Sequence, residues 1–150
     1  MINQSKRTLL LVISYCLLLG IMLSSSGCST TYQPSGWTGG YTDRQLGPGA
    51  WHISFQGNPN RDASWVRSAA MYRAAEIAER AGYPSFQVNL ESTYVTNRAY
   101  VNFTNLVSWK ADVHMKGLRS PQEGCPGRPA GCKVYGTKEA LADYGKIVGQ

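Results

Sequence analysis

Histidine is nearly absent from this chain: His52 and His114 are the only two among 150 residues. Cysteine is scarce too, and no pair of the four stands at the CxxC spacing of zinc sites, which leaves no metal set and no cofactor to expect. No GxSxG, HExxH or phosphate-cradling glycine loop occurs, so the common hydrolase and nucleotide signatures are missing. Basic residues never gather into a run or stripe, and no nucleic-acid motif is present, which gives no ground for a nucleic-acid partner. There is no internal repeat, no coiled-coil heptad and only one long apolar run.

That run lies at the start. Lys6 and Arg7 precede "TLLLVISYCLLLGIML", residues 8–23, and Ser24, Ser25, Ser26 and Gly27 follow it. The order of charge, apolar core and small side chains is that of a secretory signal; the core is shorter than the ~20 residues of a membrane helix. Cys28 stands directly after the small residues, which resembles the bacterial lipobox, with cleavage between Gly27 and Cys28. Ser25 occupies position −3, where leucine is commonest. The resemblance implies a lipid on Cys28, whose several acyl chains hold a protein firmly at ~0.8 kcal/mol per buried methylene. Ser29 in place of an aspartate points to the outer membrane, on its periplasmic face, rather than to inner-membrane retention. The competing reading is an ordinary cleaved signal, with Cys28 left as a disulfide cysteine.

Cys16 would leave with the signal and Cys28 would take the lipid, so Cys125 and Cys132 remain, bracketing "CPGRPAGC". In an oxidising envelope compartment that pair reads as a disulfide closing a short loop. Loss of residues 1–27 leaves 123 residues with thirteen Lys and Arg against nine Asp and Glu, a net charge of +4. This suits a solvated basic surface near an anionic lipid or an envelope protein partner.

Residues 28–50 are rich in Gly, Ser, Thr and Pro and show no hydrophobic period, and read as a tether. Tyr32, Trp37 and Tyr41 within it either pack on the domain or sit at lipid headgroups. Residues 51–150 then read as one small α+β domain. "WHISFQ" alternates as a strand, and Asp62 is placed to cap a helix that runs to Ala81 and stops at Gly82. Val66, Ala70, Met71, Ala74, Ile77, Ala78 and Ala81 fall on one side of that helix, with Arg73, Glu76, Glu79 and Arg80 opposite. Arg67 falls in the apolar arc and is expected to reach outward.

"SFQVNLES" follows as a strand with Phe86, Val88 and Leu90 inward and Glu91 outward, forming a parallel unit with the first strand. A turn at "TNR" leads to a third strand over residues 99–104. A fourth, "WKADVHMK", points Trp109, Ala111, Val113 and Met115 inward. A short strand at "CKVY" and a helix capped by Thr137 complete a sheet of about four to five strands, with a helix on one face and a polar face opposite.

The segments "GGYTDRQLGPGAWHISFQGN" and "MYRAAEIAERAGYPSFQV" resemble a group of small proteobacterial lipoproteins of unknown function. The shared positions are Gly40, Tyr41, Thr42, Asp43, Gln45 and Leu46; Phe55, Gly57 and Asn58; and Tyr72, Arg73, Ala74, Ala75 and Glu76. The likeness covers residues 32–91 and implies the lipid anchor and the fold. It supplies no catalytic residue. The "RAAE" helix before a strand also resembles the helix–strand unit of envelope stress-sensing lipoproteins.

Two functions follow as expectations. The first is a non-enzymatic binding, adaptor or structural module anchored in the envelope. The second is a periplasmic hydrolase using His52, His114 and Asp112, which occupy the outward phase of two strands and meet if those strands are neighbours.

Overall fold

A computed structural model describes residues 29–101, 103–127 and 129–150. The apolar leader, Gly27 and Cys28 lie outside the described residues. Among the described residues five strands and two helices follow one another: β1 (Gly40–Gly47), β2 (Ala50–Gln56), α1 (Ala63–Arg80), β3 (Ser85–Val101), β4 (Thr104–Leu118), β5 (Lys133–Gly136) and α2 (Thr137–Val148). A single 3-10 turn, Pro121–Glu123, sits between β4 and β5. The strands form one antiparallel sheet in the order β1-β2-β4-β3-β5, with α1 on one face: an α+β fold.

The alternating pattern places Ile53 and Phe55, Phe86 and Val88, and Ala111, Val113 and Met115 on the helix side, all buried. Asp62 caps α1 by accepting from the Trp65 amide at 2.7 Å. The helix ends where Gly82 takes a φ of +74°, and the Tyr83 amide returns to the Ala78 carbonyl at 2.8 Å. Its alanines bring the backbone close to the sheet, as their spacing suggests. Burial nonetheless extends beyond one stripe to Ser68, Ala69 and Ala75, because α2 packs along α1, and to Arg73, which Asp43 and Tyr41 of β1 engage. Small residues serve both sides of α1, and Gly145 of α2 lies against the Tyr72 ring.

Several expectations are corrected. Residues 40–47, read as tether, form the edge strand β1. It pairs with β2 from Gly40 opposite Gln56 to Gly47 opposite Ala50. The helix-side positions after Tyr41 are Asp43, which pairs with Arg73, and Gln45, so no apolar alternation marks this strand. β2 and β3 are parallel but do not touch; β4 lies between them, antiparallel to both. The expected turn at "TNR" is strand; β3 runs on to Val101 and β4 begins at Thr104, with Phe103 at φ +64°.

Two register shifts in β3, at Val88/Leu90 and Val95/Asn97, explain the remaining differences. A bulge of one residue reverses the phase of everything after it. Leu90 therefore stands opposite His114, on the polar phase, and Glu91 opposite Val113, on the helix side. There Arg67 meets Glu91 in a two-point ion pair, one arm Nη2 to Oε2 at 3.0 Å, so Arg67 turns toward the sheet instead of outward. Thr137 is the first helical residue rather than the cap, and its hydroxyl donates to the Tyr83 carbonyl at 2.7 Å. Ala81 is exposed at the helix end.

Candidate functional site

The open face of the sheet is built in cross-strand rows. Arg44, His52, His114 and Leu90 form one row of register partners, and Thr42, Ser54, Asp112 and Ser92 form the next. Gln56, Lys110 and Tyr94 follow, and Lys116 pairs with both Ala50 and Gln87 at the far end. The two histidines are thus direct neighbours, their ring centroids 4.7 Å apart. His52 Nε2 approaches Asp112 Oδ1 at 3.4 Å, and Lys110 Nζ approaches the same oxygen at 3.7 Å.

Asp112 is the acid around which this face is organised. Tyr94 donates to its Oδ2 at 2.6 Å. Burial alone would raise the Asp112 carboxyl, but hydrogen bonds from Tyr94 and Ser54 and the nearby Lys110 and His52 outweigh it and hold it below its ordinary value. The same bond pushes the Tyr94 phenol up. The structure therefore brings His52, His114 and Asp112 together. Tyr94 was missed from the sequence because its place depends on the bulge at Val88/Leu90.

The chemistry this arrangement permits is limited. A carboxylate beside an imidazole orients a base, while the Tyr94 hydroxyl donates to Asp112. Among the described residues no group of three or more His, Cys, Asp or Glu is placed to hold a metal ion. The face carries Arg44, Lys110 and Lys116 around one acid, Asp112.

A second cluster lies on the opposite side of β1 and ties the N-terminal segment down. Tyr32 stacks on Phe55 at 6.2 Å, meets Tyr72 edge-on at 4.9 Å and Tyr41 at 5.1 Å, and donates to Glu76. Burial and the Glu76 carboxylate push its phenol well up. Arg73, expected on the solvent side, is buried instead. It bonds Asp43 Oδ1 at 2.8 Å and Glu76 Oε2 at 2.9 Å, and lies 4.2 Å over the Tyr41 ring. Burial would lower this guanidinium, but the two carboxylates raise it further. Glu76 also meets Arg80, one helical turn on, at 3.6 Å.

Thr30 is fully buried. Its hydroxyl donates to the Thr38 carbonyl and accepts from the Asn58 amide at 2.9 Å, and Arg61 Nε donates to its carbonyl at 2.6 Å. Tyr32 and Tyr41 thus pack on the domain, whereas Trp37 stands fully exposed on a tight turn closed by Gly36 and Gly39.

Cys125 and Cys132 form a disulfide, with Cα atoms 5.8 Å apart. The Cys125 amide donates to Gln87 Oε1 at 2.8 Å, which fastens the loop to β3. Among the described residues no helix is long and apolar enough to cross a membrane. Compared with protein-family models, with curated proteins and with solved structures, the chain matches none.

Proposed function

We propose that this chain is an envelope lipoprotein: a non-enzymatic binding or adaptor module held through lipid on Cys28, on the periplasmic face of the outer membrane. The lipobox-like run ending at Gly27 and Cys28 supports the anchor, and the likeness to small proteobacterial lipoproteins agrees with it. The single observation that carries the binding role is the open sheet face. Arg44, Lys110, Lys116, His52 and His114 surround one acid there, and among the described residues no helix or strand packs over them. A partner with an acidic surface, an envelope protein or an anionic lipid, complements it.

The test is cross-linking in intact cells, with mass-spectrometric identification of what is captured. Wild type should return a stoichiometric partner that a Lys110→Glu, Lys116→Glu variant loses. Retention of the same partner by the charge-reversed face would refute the role given to it. Lipid label incorporated by wild type and lost in Cys28→Ser tests the anchor separately.

A second reading, a periplasmic hydrolase, draws on the His52–Asp112 approach at 3.4 Å. It requires that alanine at both histidines abolish an activity while the domain stays folded. An unchanged phenotype argues for the binding module.

A further inference from the structure

Two distant segments at one end of the sheet carry exposed aromatic groups. At that end Gly40 pairs with Gln56, and Gln56 with Lys110. The N-terminal segment is fastened there, since Thr30 bonds Thr38 and Asn58, and Gly39 presses on the Gln56 carbonyl too closely to admit a side chain. Trp37 is displayed on the same segment.

The β3–β4 hairpin leaves the sheet at this end. Beyond Trp109, whose carbonyl accepts from the Gly57 amide at 2.9 Å, residues 104–108 of β4 pair with β3 alone. The overhang is roughly 17 Å at 3.4 Å per residue. Gln56 Nε2 braces its base by donating to Thr96 at 2.8 Å. Its tip exposes Tyr100 by 67%, Val101 by 49% and Phe103 by 92%. A ribbon of two strands is marginal in water, and apolar rings held out on one need a reason to be there.

The charge pattern says what covers them. Residues 29–41 carry no charge, and residues 95–109 carry only Arg98 and no acid. Acid-free segments with Trp and Tyr at their tips suit the headgroup level of a bilayer, where amphipathic rings settle and anionic lipid repels carboxylates. Chain geometry names the same occupant. Ser29 and the buried Thr30 follow Cys28 directly, so lipid on Cys28 would enter the bilayer beside this end with no slack between.

We propose that this end of the sheet docks on the bilayer, with Trp37 and the Tyr100/Phe103 hairpin tip inserted at the lipid interface as two further points of attachment. The inference rests on the anchored reading for its orientation, and it makes the protein a fixed, three-point mount instead of a domain on a leash. The open sheet face with His52 and His114 then stands away from the membrane plane, free for a partner.

The test uses the full chain, purified from membranes and reconstituted in vesicles of phosphatidylethanolamine and phosphatidylglycerol. A fraction of nitroxide-headgroup phosphatidylcholine serves as the quencher. The emission lost on Trp37→Phe isolates that indole, and Phe103→Trp in the Trp37→Phe background reports the hairpin. Both positions are exposed, so neither change threatens folding. Each indole should be blue-shifted, quenched by the nitroxide lipid and shielded from aqueous iodide. Iodide quenching with no response to the lipid at either position overturns the proposal. Mass analysis of residue 28 in the same sample separates the two readings. Lipid on Cys28 with both indoles in water sinks the docking and leaves the anchor. A bare Cys28 with both indoles quenched sinks the anchor and leaves the docking.

Discussion

Arg73 and Asp43, thirty residues apart, meet at 2.8 Å and fasten the edge strand β1 to helix α1. The guanidinium is buried beneath the Tyr41 ring and also holds Glu76, which in turn accepts from Tyr32. One side chain therefore binds the N-terminal segment, the edge strand and the helix. Arg73→Ala strands two part-exposed carboxylates and opens the aromatic cluster. The expected loss is on the order of 2 kcal/mol, below that for fully buried pairs because water reaches Asp43 and Glu76. Urea midpoints measure it, and a loss below the error of the method would show the clamp to be incidental.

Asp62→Ala removes the cap from the Trp65 amide and should lower stability by about 1 kcal/mol. That amide and the Ser64 hydroxyl hold the Asp62 carboxyl low. Its contribution is thus fully present above the unfolded pKa and is lost as pH falls through the lower folded value. The thermal midpoints of wild type and Asp62→Ala should approach each other as pH falls through that folded value.

Tyr94→Phe deletes the donor to Asp112 Oδ2. The Asp112 carboxyl, now depressed, should move up toward its ordinary value of 3.8 when its carbon resonance is titrated by NMR. Loss of the depression removes stability above pH 4 and leaves strongly acidic solutions unaffected, since both states are then protonated. An unmoved titration curve would assign the depression to Ser54, Lys110 and His52.

Cys125→Ser with Cys132→Ser frees a loop whose ends are seven residues apart. Chain entropy for so short a loop puts the cost at about 2 kcal/mol. The effect should appear first as faster amide exchange at Cys125, whose N–H is held by Gln87, and next in β5.

Much of the fold was legible because two periods are strong in this sequence. The alternation of residues 109–116 and the alanine spacing of 70, 74 and 78 assigned faces correctly, and Asp62 and Gly82 marked the ends of α1. Features that depend on pairing were not legible. No local signal announces the extra residues of β3, so Glu91 and Arg67 were read on the wrong sides. β1 carries no apolar rhythm, and its place became visible only through Asp43 and Tyr41 meeting Arg73. The face holding His52 and His114 was readable in phase, but their adjacency needed β4 beside β2, a long-range fact.

That middle position of β4 has a consequence for synthesis. β2, α1 and β3 emerge before the strand that belongs between β2 and β3. In the finished sheet β4 fills a slot about 10 Å wide between β2 and β3, and a nascent chain halted before Thr104 lacks the strand that pairs with both. Any extended peptide of suitable register fits such a gap, which makes late arrival of the hairpin the step most exposed to mispairing and to chaperone capture.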